Sequence, residues 1–364
     1  MRALCPFVLA CALLVVQSAV TAQGASTETW TDPTNPQKTF RASLRAVHGP
    51  LVVWRFPNEY SRFEMIDRLV PADAVRVADF LAQQPKGPPP TWRDSQSELT
   101  RELRSKLVAL HEGRLVPFDP GDRPEPRFIA IYFSAGWCGP CHAFTPHLVE
   151  AYRSLQAAGE RDLEIVFVSW DESTDDMVAY MREMAMPWPA LQWNKTDSVR
   201  LIERQKGRGI PCLVVFDRDG NMLFHSYRGE EYLGADEPLR QIKQLLEYCR
   251  PGCREMADVW YRFQRIVHLE RNKAMKVPPK PYTVRLDPSN FREAGITKFN
   301  LRLLVADDGT VASAQVEGDL PAALAWQAEV EARRWVFLPK IEGGQYRTAE
   351  VLIPIDCTAL PAPR

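Results

Sequence analysis

An excess of charge of one sign is missing from this chain: 45 Lys and Arg stand against 46 Asp and Glu, a net charge of −1 in 364 residues. Acids and bases are also well mixed along it, so nothing suggests a nucleic acid or an anionic membrane surface as partner. Histidine is scarce, with 6 residues, and His48, His111, His142, His147, His225 and His268 are scattered rather than set at ligand spacing. No metal site is expected, and His142 and His147 read as packing or solvent-facing side chains. Internal repeats are absent. The apolar stretch in M-R-A-L-C-P-F-V-L-A-C-A-L-L-V-V-Q-S-A-V-T-A is too short to span a bilayer. With one positive charge before it and small residues through Ala22 after it, it reads as a secretory signal cleaved after Ala22. A lipoprotein reading through Cys11 is weaker, because the apolar core would lie mostly after the cysteine. The mature protein is expected to be exported, to the periplasm or cell envelope of a bacterium.

Of the 8 cysteines, Cys5 and Cys11 would leave with the signal. Cys138, Cys141, Cys212, Cys249, Cys253 and Cys357 remain, an even set that an oxidising compartment allows to pair. Proline is abundant at 30 residues, and the clusters at 84–90 and 277–281 read as stiff linkers. With 45% hydrophobic residues the chain can build more than one core. The expected order is a signal at 1–22, a small β-rich module at 27–83, and a linker with a connecting helix from Trp92 to His111 within 84–112. An α/β domain at 113–250, a helix and proline-rich linker at 251–282, and an α+β unit at 283–357 follow. In the α/β domain the apolar run Arg127 to Ser134 reads as a strand covered on both faces, and Asp217-Arg218-Asp219-Gly220 as a hairpin turn. A central mixed sheet flanked by helices is predicted.

The chemistry centres on Trp137-Cys138-Gly139-Pro140-Cys141-His142. C-x-x-C-H can attach haem, with His142 as axial ligand, or form a dithiol. The strand directly before it, the helix it opens, Trp137 and Pro140 favour the dithiol. A helix N-terminus stabilises a thiolate, so Cys138 is the candidate nucleophile and Cys141, one turn later and more buried, the resolving residue. Pro140 suits the first helical turn, and Gly139 lets a substrate chain come close. So small a ring gains little from loop closure and suits exchange better than stapling.

Tyr132 through Cys141 with Phe144-Thr145-Pro146, then Val168-Ser169-Trp170-Asp171-Glu172-Ser173 and Arg208-Gly209-Ile210-Pro211, resembles the thioredoxin superfamily in its tryparedoxin and nucleoredoxin branch, over about 127–249. The resemblance implies an α/β thioredoxin-like fold, a redox-active Cys138–Cys141 disulfide, protein disulfides as substrates and an upstream thiol electron donor, without a cofactor. It also implies a cis proline at Pro211, where the backbone of Ile210 would pair with an extended substrate, and Pro146 should kink the active-site helix. Two departures stand out. Tyr132 occupies the place of thioredoxin's buried aspartate, and Gly139-Pro140 replaces the two prolines often found in this branch, so the direction of electron flow stays open. Asp171 or Glu172 could assist Cys141 through water, but capping of the following helix is the preferred reading.

Three weaker readings complete the set. Thr29-Trp30-Thr31-Asp32, the hairpin from Thr39 to Phe56, Arg68-Leu69, Pro71, Asp73 and Phe80-Leu81 resemble a Sla-type homology-one module, a small SH3-like barrel. Lys298 to Ile355, with Asp307-Asp308-Gly309 and the run Arg334 to Pro339, resembles the TonB C-terminal domain, which implies a strand edge for an envelope partner. Cys212 reads as a buried inert thiol, while Cys249–Cys253 and Cys253–Cys357 compete as structural disulfides. An exported thiol-disulfide oxidoreductase is expected; the alternative is an envelope adaptor whose thioredoxin-like domain turns over little.

Overall fold

A computed structural model of the chain describes residues 26–57, 61–85 and 87–360. The expected signal at 1–22, with Cys5 and Cys11, lies outside the described residues. Strands β1 (Glu28–Asp32), β2 (Asn35–His48), β3 (Leu51–Arg55) and β4 (Ser61–Met65) pair antiparallel in that order. The β2–β3 hairpin is where alternation places it, turning at Gly49 with a φ of 54°; β1 and β4 add a strand on either side. The sheet stays an open half-barrel among the described residues. Helix α1 (Pro71–Gln83) begins with its proline in the first turn and closes one side of a core built on Trp30, Val52, Trp54 and Ile66.

The next segment departs from expectation. Leu99, Leu103 and Leu107 keep helical spacing, yet α2 (Glu98–Leu103) stops before Leu107. β5 (Leu107–His111) and β6 (Arg114–Pro117) form a hairpin through Glu112 and Gly113, both at positive φ. Two short apolar runs around a glycine gain more by extending a sheet edge than by prolonging the helix. β7 (Phe128–Ser134), α3 (Gly139–Ala157), β8 (Leu163–Ser169), α4 (Thr174–Glu183), β9 (Ala190–Leu191), α5 (Arg200–Arg204), β10 (Cys212–Asp217) and β11 (Met222–His225) follow. The small hairpin β12 (Tyr227–Arg228) and β13 (Glu231–Tyr232) and then α6 (Asp236–Cys249) complete this part.

One seven-stranded mixed sheet runs β11-β10-β7-β8-β9-β5-β6. Within it β7 runs parallel to β8 and antiparallel to β10, with every residue buried. Alternation assigns the two faces. Phe128, Ala130 and Tyr132 meet residues of α3, α4 and α6, while Ile129, Ile131 and Phe133 meet Leu99, Leu103 and Ile202 on the other side. Each such phenylalanine or isoleucine side chain stabilises the fold by about 1.5–3 kcal/mol relative to exposure.

Helix α7 (Arg254–Asn272) precedes β14 (Lys280–Thr283), α8 (Ser289–Glu293), β15 (Lys298–Val305), β16 (Val311–Glu317) and α9 (Ala322–Ala332). β17 (Val336–Leu338), β18 (Lys340–Glu342), β19 (Gln345–Arg347) and β20 (Ala349–Asp356) end the described chain. A three-stranded sheet β16-β15-β20, a β14–β17 pair and a β18–β19 hairpin form the C-terminal α+β unit. α7, expected as part of a linker, instead lays Met256, Val259, Phe263 and Val267 into the N-terminal core.

Candidate active site

β7 delivers the chain at Ser134 into a tight turn, with Cys138 N–H donating to the Ala135 carbonyl at 3.2 Å. Cys138 caps α3: its φ of −92° and ψ of 106° are extended, and its Sγ lies 3.2 Å from the Cys141 N–H. Pro140 sits in the first turn, where its missing N–H leaves no bond unmade. Cys138 and Cys141 are joined by a disulfide with Cα atoms 5.2 Å apart. Cys138 is 4% exposed and Cys141 0%, so an incoming sulfur reaches Cys138 first. Trp137 stands beside it, 65% exposed, its indole N–H donating to the Trp170 carbonyl at 3.2 Å.

The turn is held from two sides. Gly136 N–H donates to Asp171 Oδ1 at 2.7 Å, and Asp171 Oδ2 accepts from Ser169 Oγ at 2.7 Å. The Gly136 carbonyl accepts from His142 Nε2 at 2.6 Å, and the His142 ring lies 5.2 Å from that of Tyr180. A Cβ on Gly136 would approach Tyr180 Cβ to 3.2 Å, which favours glycine there. Asp171 therefore does not cap α4. Ser173 does, its Oγ accepting from Asp176 N–H at 3.1 Å, while Asp171 is spent on the active-site turn. An acidic recess of about 490 Å³ opens beside the turn, lined by Trp137, Asp171, Glu172, Asp176 and Glu183.

The opposite wall is the cis Ile210–Pro211 peptide at the start of β10. The Ile210 carbonyl oxygen lies 3.7 Å from Cys138 Sγ, and Tyr232 OH donates to the Pro211 carbonyl at 2.8 Å. Gly139 has open space where a Cβ would stand. Trp137, Gly139, Pro140, Ile210 and Pro211 thus all border the disulfide.

Behind Cys141 lies a hydroxyl cluster that the sequence reading missed. Thr145 Oγ1 donates to the Cys141 carbonyl at 2.7 Å and contacts the hydroxyls of Tyr132 and Tyr180, each at 2.7 Å; Ser134 Oγ meets Tyr180 OH at 2.9 Å. Burial pushes the Tyr132 phenol well above its ordinary range, so it serves as a neutral hydrogen-bonding group rather than a base. α3 continues through Pro146. The one sequence signal was Thr145 beside Pro146, where a hydroxyl can bond back to the preceding turn.

Among the described residues, Cys212, Cys249, Cys253 and Cys357 are free. Burial pushes the Cys212 thiol up to about 12, as suits an inert side chain beginning a buried strand. The Cys249–Cys253 bridge is not formed, nor is Cys253–Cys357. Cys249 packs against the central core beside Gly49, Cys253 against the N-terminal core, and Cys357 inside the C-terminal one. Gly252, at a φ of 77°, turns the chain between α6 and α7 so that the two nearer thiols serve different cores. The haem alternative loses its axial ligand, since His142 Nε2 is committed to Gly136 and its ring rests on Tyr180.

The same stretch of chain is similar to known proteins. A family model described as thioredoxin-like matches residues 126–222. Probable nucleoredoxin 1 of Arabidopsis thaliana is 39% identical over 132 residues, 34% of this chain and 22% of that protein. Nucleoredoxin of Danio rerio is 38% identical over 107 residues, 29% of this chain and 25% of that protein. The match thus spans about a quarter of the length of these relatives. Among solved structures, tryparedoxin II of C. fasciculata is 30% identical, covering 35% of this chain and 86% of its own, with a TM-score of 0.29. The central domain of this chain, carrying the Cys138–Cys141 disulfide, belongs to the thioredoxin superfamily and is similar to the nucleoredoxins.

Proposed function

We propose that the chain is an exported thiol-disulfide oxidoreductase that exchanges disulfides with protein substrates through Cys138 and Cys141. The observation that carries this reading is the position of Cys138 Sγ: at the N-terminus of a 19-residue helix, 3.2 Å from the Cys141 N–H and 3.7 Å from the Ile210 carbonyl. Helix-terminal N–H groups favour the thiolate, the reactive form. As thiolate, Cys138 attacks one sulfur of a substrate disulfide; that bond breaks and the other substrate sulfur leaves as a thiolate, which takes up a proton. Cys141 then gives up its proton and its sulfur attacks Cys138 Sγ. The mixed disulfide breaks, the second substrate thiolate departs, and the Cys138–Cys141 bond re-forms. Two electrons have passed to the substrate, and an upstream thiol donor restores the dithiol.

Ile210 offers backbone groups beside the disulfide to which an extended substrate segment can pair. Export rests on the sequence of residues 1–22. The C-terminal unit, read as TonB-like, would offer a strand edge to an envelope partner, leaving partner choice to the flanking modules. The test is reduction of insulin by the full chain with dithiothreitol as donor. Cys138→Ser is expected to abolish the catalysed reduction, and Cys141→Ser to trap a mixed disulfide. Full activity of Cys138→Ser would sink the assignment.

A further inference from the structure

We infer that His142 is a positioning residue that sets the redox poise of the Cys138–Cys141 couple through the Gly136 carbonyl; the inference rests on the oxidoreductase reading above. A carbonyl oxygen only accepts, so His142 Nε2, at 2.6 Å, carries the hydrogen. His142 follows Cys141 directly in α3, so its side chain ties the entry turn back onto the helix that the turn starts. Asp171 holds the N–H of the same glycine at 2.7 Å, from the segment between β8 and α4. Both peptide groups of Gly136 are thereby fixed, one by each residue. The imidazole is itself seated on α4, with its ring 5.2 Å from that of Tyr180 and Nδ1 3.7 Å from Glu183 Oε1.

The turn from Ala135 to Cys138 decides where Cys138 Sγ stands relative to the Cys141 N–H, now 3.2 Å away. In the dithiol state that donor and the end of the α3 dipole stabilise the Cys138 thiolate. A stabilised thiolate favours the dithiol over the disulfide, hence a more oxidising couple. Without the His142 tie the Gly136 carbonyl loses its side-chain donor, the turn relaxes and Sγ leaves its best position. The couple then becomes more reducing. The acids across the recess, Asp171, Glu172 and Asp176, are retained in both His142 variants, and Glu183 loses its imidazole neighbour in both alike, so the comparison of Ala with Gln isolates the bond to Gly136.

The experiment equilibrates the full chain with glutathione redox buffers at pH 7 and scores the thiol state by alkylation. His142→Ala is expected to shift the equilibrium about tenfold toward the protein disulfide, about 30 mV for a two-electron couple, and to slow alkylation of reduced Cys138. His142→Gln, whose amide N–H reaches about as far as Nε2, is expected to restore most of both. An unchanged equilibrium in His142→Ala, a shift toward the dithiol, or a Gln variant that behaves like Ala would each overturn the inference. A wild-type disulfide that no glutathione buffer reduces would instead overturn the oxidoreductase reading.

Discussion

Glu164 shows how a single side chain on the central sheet registers pH. It lies on β8, 5% exposed, with Oε1 accepting from Tyr152 OH at 2.7 Å and from Ile165 N–H at 3.1 Å. Burial raises its pKa above the ordinary carboxylate range against these bonds, and Arg123, 3.8 Å away and half exposed, compensates little. A carboxyl whose folded value lies above its unfolded one contributes fully below the unfolded pKa and loses that contribution as pH rises through the folded one. Glu164→Gln keeps an oxygen for both donors and is expected to raise unfolding stability by about 1 kcal/mol at pH 7. Urea unfolding should show the gain shrinking as pH falls through the raised folded value and gone below the ordinary glutamate value of about 4. A gain independent of pH would assign the effect to packing instead.

At the scale of elements, legibility followed burial. β7, β8 and β10 are read from sequence because continuous apolar runs covered on both faces resemble little else, and the C-x-x-C opening α3 fixes where the site stands. Leu107 to His111 misled because helical spacing continues into a strand at the sheet edge, and only Glu112-Gly113 signalled the turn. Tyr132 could be read as a departure, but its partners Thr145 and Tyr180 come from different helices, which no local pattern joins. The hairpin at Asp307-Asp308-Gly309 was legible; its neighbour was not. Gly309 has a φ of 92°, and a Cβ there would collide with the Tyr261 hydroxyl of α7 and the Phe337 carbonyl. Tyr261 OH donates to the Phe337 carbonyl at 2.7 Å and faces the Asp308 carbonyl at 2.6 Å, so this contact seats the C-terminal unit on α7. Gly309→Ala is expected to cost about 1–3 kcal/mol and to expose residues 273–279 to protease. Unaltered protection of that segment would show that the seat lies elsewhere.

For the whole molecule, the N-terminal sheet docks on the thioredoxin-like domain through a buried polar contact. His48 Nε2 lies 3.0 Å from Asp217 Oδ2, and Asn221 Nδ2 donates to the same carboxylate at 2.7 Å. The His48 ring meets Phe128 edge-on at 5.0 Å, and Phe63 meets Phe224 at 5.5 Å. Burial alone would push the Asp217 carboxyl up, but the bond and charge of His48 and the Asn221 donors bring it below the ordinary range. Its contribution is therefore present above the unfolded aspartate pKa and lost as pH falls through the folded one. His48→Ala is expected to cost about 2 kcal/mol at pH 7, with the difference narrowing in acid, as followed by urea unfolding. Equal losses at both pH values would point to the Phe128 contact rather than the carboxylate.

The N-terminal core is assembled from two distant stretches: β1 to α1 provide one part, and α7 inserts Met256, Val259, Phe263 and Val267 from the far side of the thioredoxin-like domain. On the ribosome, the first stretch emerges with its apolar face uncovered and waits while the entire redox domain is made. The redox domain is thus an insertion within another module's core, and a chain cut short at Arg250 would retain both active-site cysteines yet leave α1 and Ile66 without the helix that packs against them.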